Sequence, residues 1–255
     1  MSLEQPIELP AGHLLPDTDG EPMDSEWVVE QTRDYLVNPL KAYLAQEKVV
    51  AFVGGNSFVY YVDPRTSKLR NLGPDFYVVR GGVQAGQTKW VSHEEGGLLP
   101  TTVIEFLSES TETRDRGEKF CIYRDVFKTD DYFLVDPETL FIEGFTWQRG
   151  HYVPLTADRE DWYFVRSLDL YLGVEKGWVR FRTPQGELLA TDRERADGEK
   201  RRADKAQRRA DEAQRRADEA QRRADEEQGR ANEVRERNLR LEEKLRSLGL
   251  DPDQI

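Results

Sequence analysis

TVIEFLSESTETRDRGEKFCIY, residues Thr102 to Tyr123, is the stretch whose reading decides the fold. Its first six residues, Thr102-Val-Ile-Glu-Phe-Leu107, form a β-branched and aromatic run that reads as a strand. One carboxylate, Glu105, stands among these apolar neighbours. An unpaired charge buried there is costly, so Glu105 calls for a cationic partner or a metal. After the polar LSESTET, Phe120, Ile122, Tyr123 and Phe127 recur at helical spacing, and Asp115 with Glu118 three residues later resembles a capping arrangement. A helix starting near Asp115 is predicted, with Lys119 in its first turn or so.

Upstream, three more runs read as strands joined by Gly, Asn and Pro turns: VVAFV at Val49 to Val53, SFVYYV at Ser57 to Val62 and DFYVV at Asp75 to Val79. From Ser25 to about Ala45, Trp27, Val28, Tyr35, Leu36, Leu40 and Leu44 keep helical spacing, with Pro39 expected to kink or divide the segment. The first two dozen residues are rich in turn formers and read as irregular, and Asp17, Asp19 and Gly20 lack the oxygen series of a calcium loop. Downstream, DYFLVD at Asp131 to Asp136 is a strand, and apolar pieces near Phe141 to Trp147, Tyr152 to Leu155, Trp162 to Val165 and Trp178 to Phe181 give a β-rich finish. The order is helix, strands, helix, strand, then β structure.

Of the 255 residues, 37% are hydrophobic and 34% charged, which favours one medium domain plus an extended segment. The net charge is −12, and residues 191–248 hold 18 basic and 16 acidic side chains, so the acidic excess lies in the globular part. A domain of that sign does not coat itself with nucleic acid, and any such site must be local or metal-assisted. Cys121 is the single cysteine, which excludes an intrachain disulfide and suits a reducing compartment; the residue itself is read as packing rather than nucleophilic. No basic leader and no run of about 18 apolar residues occurs, so a cytoplasmic protein without membrane partners is expected.

The chemistry is carried by few residues. Asp75 follows Pro74 at the start of one strand, Glu105 lies in another and Lys119 in the following helix. Two carboxylates on neighbouring strands can hold Mg²⁺ or Mn²⁺ together with substrate phosphate oxygens, the metal activating water and offsetting charge in the transition state. A lysine adds positive charge for the pentavalent phosphorane or orients the water, and a helix amino terminus near Asp115 would turn N–H groups toward phosphate. Singly, each residue has a plainer reading: Pro74-Asp75 as a turn, Lys119 as a solvated helix residue, Glu105 as partner to a buried Arg. His13, His93 and His151 are scattered, and Ser108 and Ser110 lack a histidine signature, so neither a zinc site nor a serine hydrolase is indicated.

PDFYVV at Pro74 to Val79, VIEFLSEST at Val103 to Thr111, DRGEKFCIY at Asp115 to Tyr123 and DYFLVDP at Asp131 to Pro137, with the lead-in DGEPMDS at Asp19 to Ser25, resemble the motif series of the Uma-two restriction endonucleases. That family is a branch of the PD-(D/E)XK nuclease superfamily, and the resemblance covers roughly Leu14 to Leu172. It implies an α/β core of helix, three strands, helix and strand, with Asp75 and Glu105 as metal carboxylates. The sequence departs from the superfamily pattern at Leu107, where a lysine would stand, so the resemblance points to Lys119 on the next helix instead. Glu30 on the first helix is a possible accessory ligand.

From Arg201 the chain reads RRADKAQ, RRADEAQ, RRADEAQ, RRADEEQ, a seven-residue repeat. Apolar positions from Ala203 to Leu248 alternate spacings of three and four, the heptad pattern of a left-handed coiled coil, with Asn238 at a core position and Glu227 weakening the seam. A solitary helix held by i,i+4 pairs is the alternative. The expected organisation is an irregular segment 1–24, a nuclease-like domain 25–188, a coiled coil 189–248 and a tail 249–255. The expected function is a metal-dependent endonuclease acting on DNA and assembled as a homodimer through the coiled coil. The alternative is an inactive nuclease-fold interaction module.

Overall fold

In Phe76-Tyr-Val-Val-Arg80 and Thr102-Val-Ile-Glu-Phe106 successive side chains point to opposite faces of one sheet, and both faces are covered. A computed structural model describes residues 9–17 and 25–247. The lead-in Asp19 to Asp24, Leu248 of the heptad series and the tail 249–255 lie outside the described residues. In chain order the strands are β1 (Ala51–Gly55), β2 (Val59–Asp63), β3 (Lys68–Leu72), β4 (Phe76–Arg80), β5 (Trp90–Val91) and β6 (Thr102–Phe106), then β7 (Asp131–Val135), β8 (Ile142–Gln148), β9 (His151–Pro154), β10 (Tyr163–Val165), β11 (Leu170–Glu175) and β12 (Trp178–Arg182). The helices are α1 (residues 26–46), α2 (residues 112–127) and α3 (Asp192–Ser247).

The central sheet has the order β1-β4-β6-β7-β8-β9. β6 and β7 run parallel, Thr102 opposite Asp131, and α2 makes the crossover between them; the other pairs are antiparallel. Within this layer the order α1, β1, β4, β6, α2, β7 is the helix, three strands, helix and strand of a restriction-endonuclease-like α/β core. On one face Phe76, Val78, Ile104, Phe106 and Phe133 pack against Leu36, Leu40 and Leu44 of α1 and against the β10-β11-β12 sheet. On the other face Tyr77, Val79, Val103 and Leu134 pack against Ile122, Tyr123 and Phe127 of α2 and against β2 and β3. Glu105, one residue from Ile104 and two from Val103, therefore points toward α2.

Two expectations need correction, those on Asp115 and Cys121, and two others gain detail. The run Ser57 to Val62 supplies a strand, as read, and this strand, β2, pairs with β3 and β5 outside the central sheet; strand pairing is non-local and a strand's own sequence does not name its neighbour. At Pro39 the helical segment changes character, as expected: a π-helical stretch Gln31–Val37 gives way to α-helical Asn38–Gln46, and Pro39 sits in the first turn of the latter, where its missing N–H costs little. Asp115 is no cap, because α2 already begins at Glu112 and Asp115 has helical dihedrals inside it; Glu118 is exposed and pairs with Arg114 instead. Cys121 is exposed on the outer side of α2 rather than packed.

The chain divides into two compact units, residues 1–194 and 195–255. In the first, the opening turn of α3 is fixed: Glu194 receives both Arg180 amino groups at 2.9 and 2.7 Å, and Asn38 donates to Asp192 at 3.1 Å. In the second, the helix has no buried residue, and i,i+4 contacts such as Gln214 to Asp218 and Arg223 to Glu219, each 2.8 Å, run along it. Among the described residues no helix is long and apolar enough to cross a membrane.

Candidate active site

The β4–β6 pairing places Phe76 opposite Ile104 and Tyr77 opposite Val103, and just beyond it the chain crosses over through side chains. The Asp75 N–H donates to Glu105 Oε2 at 3.3 Å, while Asp75 Oδ2 accepts the N–H of Phe106 at 2.6 Å. Two carboxylates on neighbouring strands are thereby held side by side. Pro74, with its fixed φ and no N–H, precedes them at the point where β4 begins.

Helix α2 brings the third group. Asp115, Lys119 and Tyr123 stand four residues apart on the side of α2 that faces the sheet, and all three are buried. Lys119 Nζ lies 3.1 Å from Glu105 Oε2 and 2.9 Å from Asp115 Oδ1, and donates to the Gly73 carbonyl at 3.4 Å. The Tyr123 hydroxyl donates to Glu105 Oε1 at 2.7 Å. Glu105 is 0% exposed, Asp115 1% and Lys119 7%, so these charges interact with little screening by water.

Burial raises the Glu105 carboxyl above its ordinary value, with the Lys119 ammonium opposing that shift and the Asp115 charge adding to it. Lys119 has the same contest with the opposite outcome: burial works against its proton, but Glu105, Asp115 and Asp75 together hold the pKa above the usual lysine value. The neighbouring carboxylates therefore favour the ammonium form of Lys119. Burial, then the neighbouring Glu105 charge, push the Tyr123 hydroxyl well up, so it remains a donor.

Asp75, Glu105 and Lys119 thus lie together. Glu30 is exposed on α1, where its charge acts on Arg33 and Tyr35. Sequence reasoning missed Asp115 and Tyr123 as members of the cluster. The signal was present, since DRGEKFCIY carries Asp, Lys and Tyr at successive spacings of four, one face of a helix aimed at the Glu105 strand.

Three carboxylates around one ammonium leave an excess of negative charge, and carboxylate oxygens are the donors that magnesium and manganese take. The donor chemistry fits a divalent cation at Asp75 and Glu105. Among the described residues, however, no group of three or more His, Cys, Asp or Glu side chains is arranged to hold one, and both Glu105 oxygens are already engaged by Tyr123 and Lys119.

The profile of the family described as "Uma2: Putative restriction endonuclease" matches residues 5–182, more than half of the chain. Among solved structures, "a putative nuclease belonging to DUF820 from Anabaena variabilis" is similar with 16% identity and a TM-score of 0.42, over 62% of this chain and 90% of that one. Comparison with curated proteins finds no match.

Proposed function

The chain belongs to the Uma2 restriction endonuclease family, and from that premise we propose that it is a metal-dependent endonuclease hydrolysing phosphodiester bonds of DNA. The observation that carries this reading is the buried Glu105, held between Lys119 at 3.1 Å and the backbone N–H of Asp75 at 3.3 Å. A Mg²⁺ or Mn²⁺ ion held by Asp75 and Glu105 would supply Lewis acidity and an activated water. The protein's own groups do the rest. The Phe106 N–H fixes the Asp75 carboxylate, Tyr123 fixes that of Glu105, and Lys119 supplies the positive charge that meets the phosphorane. Asp115 keeps Lys119 charged and aimed at Glu105.

In the same reading, the charged heptad segment 189–248 pairs with that of a second copy and brings two nuclease domains to one duplex. A second reading, an inactive nuclease-fold module that assembles partners, is favoured by one observation, the engagement of both Glu105 oxygens within the protein.

The test is cleavage of single-stranded, duplex and branched DNA with Mg²⁺ or Mn²⁺, by the full chain and by Asp75→Ala and Glu105→Ala. Cutting by the parent and its loss in both variants is expected. Cutting that survives in both sinks the site, and no cutting of any substrate favours the second reading.

A further inference from the structure

A cavity of about 280 Å³ opens beside the edge strand β1, walled by α1 and by residues of the 84–88 segment. Among the described residues that line it there is no Asp or Glu, in a chain with a net charge of −12. Its polar wall includes Thr32, Arg33, Lys41, Asn56 and Ser57. Two of these have no partner among the described residues. Thr32 is 2% exposed and its hydroxyl has no hydrogen bond. Lys41 is half-buried; burial alone acts on its ammonium, lowering the pKa, with no carboxylate to offset it. Arg33 forks onto its neighbour Asp34 at 2.7 and 2.8 Å, but that pair is solvated and contributes little, so the guanidinium is available to another anion.

One wall of the cavity is joined to the candidate active site through the backbone. Gly55 and Asn56 form part of its lining, and the Asn56 N–H donates to the Asp75 carbonyl at 2.9 Å. A Cβ at Gly55 would come within 2.7 Å of Thr32 Cγ2, so the space beside Thr32 depends on a glycine. The volume lies below the ~300–1,000 Å³ usual for whole small-molecule ligands and suits a smaller charged group.

We propose that this cavity binds a backbone phosphate of the DNA strand, beside the scissile one, through Lys41, Thr32 and Arg33. The inference rests on the nuclease reading of the neighbouring site and names the contact by which an acidic domain engages its polyanionic substrate. An ammonium and a hydroxyl, joined by a guanidinium that exchanges its solvated neighbour Asp34 for the ligand, form a phosphate-binding set, and one such contact adds position without sequence preference.

The test is binding of a fluorescein-labelled DNA duplex to the full chain in EDTA, followed by anisotropy over a salt series. Lys41→Gln, which keeps most of the apolar stem, is expected to weaken binding about fivefold and to flatten the slope of log affinity against log salt by about 0.9, the mark of one lost phosphate contact. Lys41→Glu weakens it further, and Thr32→Val weakens it with the salt slope unchanged. Thermal melting of each variant separates folding from binding. Affinity and slope equal to the parent's in Lys41→Gln overturn the proposal, as does competition by inorganic phosphate that needs Lys41 when DNA binding does not. The two readings separate cleanly. Cleavage abolished by Asp75→Ala beside Lys41-independent binding sinks the cavity alone, whereas Lys41-dependent binding with cleavage surviving in Asp75→Ala and Glu105→Ala sinks the catalytic site alone.

Discussion

Lys119 and Glu105 form an ion pair of 3.1 Å in which the carboxylate is wholly buried and the ammonium nearly so. Removing the cation strands Glu105 and Asp115 together, because Lys119 serves both. Lys119→Met is therefore expected to destabilise the domain by about 3–5 kcal/mol, the cost of breaking a buried pair from one side. Adding Glu105→Gln should recover part of that loss, since a neutral amide leaves no uncompensated charge at that position. Urea unfolding of both single variants and the double variant measures the coupling, and strict additivity would mean that the pair does not couple.

A second prediction concerns Gln31, which is 0% exposed. Its amide donates to the Val179 carbonyl and accepts the Val179 N–H, both at 2.8 Å, so the side chain does for the edge strand β12 what a neighbouring strand would do. Gln31→Leu keeps similar volume but leaves two buried backbone groups unpaired. A loss of about 2–4 kcal/mol is expected in urea unfolding, and a loss below ~0.5 kcal/mol would show that water replaces the amide.

The third concerns acid. Hydrogen bonding to Arg180 leads the causes that hold Glu194 down, from 4.5 to about 2, despite partial burial. A carboxyl whose folded value lies below its unfolded one stabilises fully above the unfolded value and loses that contribution as pH falls through the window from 4.5 to about 2. The melting temperature of the parent should drop across this window, that of Glu194→Gln should begin lower at neutral pH, and the two should converge near the acid end. Parallel curves would exclude the pair as a source of stability.

The fourth concerns α3. Because Glu194 belongs to the first unit and holds Arg180, shortening has to spare it. A chain ending at Lys200 keeps this contact and loses the heptads. Sedimentation should find it monomeric where the full chain is dimeric. Equal stoichiometry would end the pairing proposal and leave a solitary helix supported by its i,i+4 contacts.

Much of the fold was legible because its signals are local. The alternation in DFYVV and TVIEFL marks two central strands, and Glu105 stands out as a charge in an apolar run. What escaped was set by distant partners. β2 looks like any core strand, yet its neighbours are β3 and β5. β11, at Leu170–Glu175, lay between recognised apolar pieces and is buried by pairing on both sides. Asp115 carries the local marks of a cap and becomes a buried ion-pair partner only because α2 starts a turn earlier and rests on β6. The π-helical turn that accommodates Pro39 likewise depends on how α1 packs against the sheet.

The crossover between Asp75 and Phe106 has a consequence for how the molecule fails. One candidate carboxylate is a side chain of β6 and the other is tethered to the backbone of β6, a strand flanked on both sides. Such a strand opens only when the whole domain opens. Heat inactivation and melting should therefore coincide, with no temperature range in which a folded protein has lost its activity. The Phe106 amide, read by hydrogen exchange, should be among the last to give up its proton.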